Sequence, residues 1–97
     1  MASTIAKTPT GIRKLNTKIW DDNGHFSVKL YETIVYDETH DTITLDNGGW
    51  VTMTTTSRMN QAFNHRGHSH RVNIKNGVMY CDGKPFNGNT YTIVKGA

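Results

Sequence analysis

At 97 residues the chain has the length of one small domain, able to bury roughly 60 to 65% of its unfolded surface, and it holds no repeat, heptad or linker that would divide it. A single cysteine, Cys81, rules out an internal disulfide, and no apolar run approaches the ~20 residues of a membrane-spanning helix. The net charge of +3 conceals an asymmetry: residues 21–46 carry seven acids against Lys29, while elsewhere ten bases stand against Asp82. Such a division steers a polyanion to one part of the surface if the fold keeps the two groups apart; otherwise it describes a solvated surface of mixed sign.

Residues 1–10 are rich in Ala, Ser and Thr, with Ile5 the main side chain to bury, which predicts a mobile N-terminal arm ahead of one domain at 11–97. The arm lacks the hydrophobic centre of a signal peptide, so a soluble, non-exported protein is expected. A first strand is expected over 12–20, closing in the Asp21-Asp22-Asn23-Gly24 turn. From Phe26 to Tyr36 the apolar residues Phe26, Val28, Leu30, Ile34 and Tyr36 share one parity, which reads as one long half-buried strand with Glu32 at a bulge or edge. After a polar turn at 37–41, Thr42-Ile-Thr-Leu alternates again and completes a meander.

Asp46-Asn47-Gly48-Gly49 requires a turn, and a helix follows at about residues 55–65. Thr54 or Thr55 is the expected N-cap, Met59, Ala62 and Phe63 share a face at i, i+3, i+4 spacing, and Gly67 marks the stop. Beyond it, Asn76-Gly77 between Arg71–Lys75 and Val78–Cys81 predicts a two-residue hairpin; a short segment at Lys84-Pro85-Phe86, a Gly88-Asn89 turn and a strand at 90–95 close the chain. The fold class is α+β: a curved, mostly antiparallel sheet of about five to seven strands with one short helix. Edge strands of such a sheet leave a homodimer open as an alternative.

Three constellations bear on chemistry. His65, His68 and His70, with Cys81 and Asp82 near in sequence, offer metal-ligand atoms, but their spacing straddles a helix end and no His-Glu-x-x-His pattern supports them; an exposed loop is the plainer reading. Cys81 alternates in a strand as a small buried side chain, Asp37 and Asp41 sit in a turn, and no P-loop, dinucleotide fingerprint or Ser/His/Asp motif occurs, so neither an enzyme nor a cofactor is expected. The third is a surface for nucleic acid or a nucleotide-like anion. The threonine-rich helix start at Thr54 and Thr55 offers free amides, Arg58, Arg66 and Arg71 add charge, Trp50 and Tyr80 stack on bases, and Asn60 and Gln61 read base edges. A competing reading packs Trp50 into the core and leaves Arg58 and Gln61 on the solvated side of the helix.

The segments Lys14-Leu-Asn-Thr-Lys-Ile and Ile43-Thr-Leu-Asp-Asn-Gly-Gly-Trp-Val-Thr-Met-Thr-Thr-Thr-Ser-Arg-Met-Asn-Gln resemble a widespread set of small tailed-bacteriophage proteins. In those proteins a Gly-Gly-Trp turn precedes a Thr-Thr-x-x-Arg-Met-Asn-Gln helix; the resemblance covers most of the chain after the arm and departs from it at residues 64–70. It brings no activity with it. It implies a phage product acting in the host cytoplasm or carried in the virion. Joined to the residues above, the expected function is a non-enzymatic accessory protein that binds nucleic acid or a nucleotide-like anion through a basic surface; the alternatives are an adaptor that binds and inhibits a host protein, or a minor virion component.

Overall fold

A computed structural model describes Ile12 and residues 15–95, so the arm expected at residues 1–10 lies outside the described part. The expected α+β class holds, with antiparallel pairing throughout and one short helix, and the strands divide between two sheets. The larger contains β1 (Thr17–Asp22), β2 (His25–Leu30), β3 (Thr33–Glu38), β4 (Thr42–Asp46) and β8 (Thr90–Val94) in spatial order β1-β2-β3-β4-β8. The smaller contains β5 (Val72–Lys75), β6 (Val78–Cys81) and β7 (Lys84–Pro85), and α1 (Met53–His65) joins the two sheets in sequence.

The long strand expected from Phe26 to Tyr36 is instead a hairpin, β2–β3, closed by a two-residue turn at Tyr31-Glu32. Tyr31 adopts φ +54°, a conformation that L side chains rarely take, and its amide donates to the Asn16 carbonyl at 2.8 Å. A two-residue turn reverses side-chain parity. The register shift beside Val28, which leaves Val35 as the extra residue, then reverses it back, so both Val35 and Tyr36 face the core.

Helix α1 begins two residues earlier than expected. Its N-cap is Thr52, in extended conformation, whose hydroxyl accepts from the Thr55 amide at 3.3 Å; Thr54 and Thr55 lie inside the helix. The exit agrees with expectation: Gly67 takes φ +79°, its amide bonds the Asn64 carbonyl and the His68 amide bonds that of Phe63, a Schellman closure. Met59, Ala62 and Phe63 form the helix's apolar stripe and are buried, with Phe63 edge-on to Tyr36 at 5.2 Å between centroids. Phe26, Val28, Ile43 and Leu45 from the large sheet and Val72, Met79 and Cys81 from the small one complete the core.

Besides that shared core, a helix side chain hydrogen-bonds the small sheet directly. Asn60 donates from Nδ2 to the Val72 carbonyl at 2.9 Å and accepts the Val72 amide at Oδ1 at 2.8 Å, acting as a one-residue strand along the margin of β5. Between β4 and α1, Asn47 is buried and takes the Gly49 amide on Oδ1 at 2.8 Å. Gly48 is required there twice over: φ is +60°, and a Cβ would stand 2.5 Å from the Thr33 hydroxyl.

Candidate functional site

The turn at 47–49 leaves Trp50 outside the core, 63% exposed, and Tyr31 at the β2–β3 turn is 62% exposed. Together with Thr33, Val35, Thr54 and Thr55 they line a groove of about 550 Å³, in which Glu32 is the one charged residue among the described residues of the lining. Tyr31 is also a wall of a second hollow of about 400 Å³, with Leu15, Met53 and Thr54. Leu15 and Met53 are exposed at 66% and 76%, so four large apolar side chains border two adjoining hollows at the helix entrance. Single exposed apolar residues are ordinary; a contiguous group beside a groove is the pattern of a docking face.

The nine residues expected to form one binding surface do not assemble into one. Trp50, Thr54 and Thr55 line the groove, although the Thr55 hydroxyl is already engaged with that of Thr52 at 3.0 Å. Arg58 corrects both sequence readings, being neither an outward anion donor nor solvated. It is buried, with Nε donating to the Thr17 hydroxyl at 2.9 Å and a terminal nitrogen to the Leu15 carbonyl at 3.2 Å. The physical reason is its place in the stripe, three residues after Thr55 and four before Ala62, both buried.

Asn60, given to base recognition from sequence, has its amide occupied by Val72. Gln61 donates to the Ser57 hydroxyl at 3.2 Å. With Arg71, Asn64 and Asn73, these two border a further groove of about 500 Å³ that Met53, Val72 and Ile74 also line. Arg66 points elsewhere, to Glu38 and over the Phe26 ring at 5.0 Å. Tyr80 lies half-buried on β6 opposite Asn73 and borders none of the described hollows.

Glu38, a residue with no role assigned from sequence, is the electrostatic centre of the fold. It is 2% exposed and meets the Tyr36 hydroxyl at 2.7 Å, Arg66 Nε at 3.1 Å, and His68 Nε2 and Lys95 Nζ at 2.9 Å each. Burial alone would raise its carboxyl, but the donors Lys95, His68 and Tyr36 outweigh that and hold it down at about 2. At Glu38 the acidic and basic stretches meet: Arg66 and Lys95 from the basic part neutralise an acid from the other. Arg71, Lys75 and Lys84 remain exposed on and around the small sheet.

Within the histidine run, His65 lies against Phe26, His68 meets Glu38 and His70 Nδ1 is 2.6 Å from Asp82, while the His68 and His70 rings both lie against Phe63 with their centroids 6.1 Å apart. Among the described residues no group of three or more His, Cys, Asp or Glu is placed to hold a metal. Cys81 is buried, and burial followed by the Asp82 charge pushes its thiol up to about 12, far from a reactive thiolate. On the outer face of β2 and β3, Ser27, His25 and Asp37 come together, yet Ser27 donates to Asp37 at 2.5 Å and the same His25 Nε2 faces both neighbours. A nucleophilic relay needs the serine proton on one ring nitrogen and the carboxylate on the other, so this cluster is not one.

Tyr31, Leu15 and Met53 are the site residues that sequence reasoning missed, and Glu38 is the structural one. Met53 carried the one available signal, an apolar residue at the start of α1 that falls outside the Met59, Ala62, Phe63 stripe.

No helix among the described residues is long and apolar enough to cross a membrane. A family model described as Kyanoviridae Gp96 protein matches residues 1–95, in agreement with the resemblance to small bacteriophage proteins. No curated protein and no solved structure matches the chain.

Proposed function

The chain belongs to the Kyanoviridae Gp96 protein family, and on that premise we propose that it is a non-enzymatic phage accessory protein that docks a protein partner through the Tyr31–Trp50–Met53 face. The observation that carries this reading is the lining of the principal groove: two exposed aromatics, threonine hydroxyls and aliphatic carbon, with Glu32 as its charged residue. A phosphate backbone is bound by cations. The guanidinium of Arg58, which borders the adjoining hollow, is turned inward to Thr17 and Leu15, so among the described residues the face is chemically suited to apolar and aromatic anchors of a folded or extended protein. A bacterial host protein, or another virion component, supplies such anchors.

Pull-down from host lysate with the full chain, its Trp50→Ala variant and its Arg71→Ala variant tests this. The expected result is one stoichiometric protein retained by the parent and by Arg71→Ala and lost by Trp50→Ala. Equal retention by the parent and Trp50→Ala removes the proposal.

A second reading rests on the Arg71 groove, where this exposed arginine stands among the side-chain amides of Gln61, Asn64 and Asn73, with Met53 and Ile74 beside them, a mixed set suited to single-stranded nucleic acid. It predicts a gel shift at low salt that weakens as salt rises and is reduced by Arg71→Ala while Trp50→Ala leaves it unchanged.

A further inference from the structure

The larger sheet ends on one side in β1, and among the described residues no strand lies beyond it. Unpaired edges invite further pairing, and proteins commonly blunt them with charge. Here the charges are arranged in a particular order along the exposed face of the edge: Lys18, then Trp20, then Asp22. We propose that β1 pairs antiparallel with β1 of a second copy about a two-fold axis at Trp20, placing Lys18 of each chain opposite Asp22 of the other.

Backbone geometry allows that register. Asn23 and Gly24, both at positive φ, form the two-residue turn that closes the β1–β2 hairpin, so Asp22 and His25 are its terminal hydrogen-bonded pair. The Asn16 carbonyl likewise receives the Tyr31 amide. Even-numbered residues of β1 thus direct their amides and carbonyls toward β2, and odd-numbered Ile19 and Asp21 direct theirs outward. With Trp20 facing its own copy, Ile19 of one chain stands opposite Asp21 of the other, and the outward groups of both can exchange hydrogen bonds. The Trp20 pair occupies the narrow, non-hydrogen-bonded position, where side chains approach most closely; Trp20 is 47% exposed and brings a large apolar surface to the centre.

Neighbouring registers fit less well. A two-fold at Asp21 opposes two carboxylates, and one at Ile19 sets Lys18 against Trp20 and leaves Asp22 without a cation. The opposite margin, β8, offers less edge: the Thr90 amide and carbonyl already bond Asn87, and the strand has no charged residue to select a register. The same charges that repel an arbitrary strand are therefore complementary to a second copy, as a closed isologous contact requires.

Sedimentation equilibrium of the full chain over a concentration series tests the pairing. The parent is expected to dimerise, Lys18→Asp and Asp22→Lys each to weaken the dimer about tenfold by opposing like charges at two symmetric positions, and the double reversal to restore it. A parent that stays monomeric to ~1 mM, or a double reversal no tighter than the singles, overturns the proposal. Cysteine scanning checks the register independently. Trp20→Cys is expected to form a disulfide-linked dimer on mild oxidation, because the facing Cα atoms of such a pair lie about 4.5 Å apart, while Lys18→Cys alone is not. Failure of Trp20→Cys to cross-link, or equal cross-linking by both variants, rejects the register.

Discussion

Replacing Glu38 by glutamine tests the electrostatic centre of the fold, since it keeps the shape and removes the charge on which Arg66, His68 and Lys95 converge. A carboxyl held at about 2 in the folded chain against an ordinary 4.5 contributes about 3 kcal/mol to stability at neutral pH. The sign follows from the depressed value. The contribution is complete above the unfolded value, falls to about 1 kcal/mol at pH 3, and is lost as pH passes down through the folded value. Mutational experience with one partner of a buried pair gives a similar loss of about 3–5 kcal/mol, and the partial exposure of the three cations, each side chain about a quarter accessible, favours the lower end. For a domain of this size the expected fall in Tm is roughly 12–24 °C. Urea unfolding of parent and Glu38→Gln between pH 7 and pH 2.5, followed by circular dichroism, measures the difference directly. A gap below about 1 kcal/mol at pH 7, or one that stays constant as the pH drops, would refute the reasoning.

Two further substitutions probe the helix and its attachment. Thr52→Ala removes the N-cap and should destabilise by about 1 kcal/mol in urea melts, while Thr54→Ala, one residue inside the helix, should change stability by less than about 0.5 kcal/mol; the reverse order would return the cap to the position expected from sequence. Asn60→Ala leaves the Val72 amide and carbonyl without their partners and should destabilise by about 2 kcal/mol, with hydrogen exchange at the Val72 amide rising more than at Met79 in the interior of the same sheet.

Much of the framework was legible in the sequence because it depends on neighbours along the chain. The Asn76-Gly77 hairpin, the glycine exit of α1 and the Met59, Ala62, Phe63 stripe are local patterns with local causes. The β2–β3 hairpin was not legible. Its turn contains neither Asn nor Gly, and the parity reversal at Tyr31-Glu32 is cancelled by the bulge at Val35, so a folded-back pair presents the alternation of one straight strand. Arg58 was misplaced because charge was given precedence over position, although its spacing from Thr55 and Ala62 sets it within the buried stripe. Glu38 draws partners from 28, 30 and 57 residues away, and no window along the sequence contains that convergence. The Trp50 groove was half visible: the glycine pair and the indole announce a surface, but Tyr31 reaches it only through the unforeseen turn.

The grip of Glu38 on Lys95 also bears on the margin of the larger sheet. A peripheral strand that ends a sheet is the natural place for peeling to begin. Here the Lys95 amide bonds the Asp41 carbonyl at 2.8 Å while its ammonium is clamped inside, so β8 is riveted at its far end. Loosening it by removing the ammonium, as in Lys95→Ala, should ease the hold on Arg66 and His68 as well, so that a change at the outer strand is felt at the helix exit.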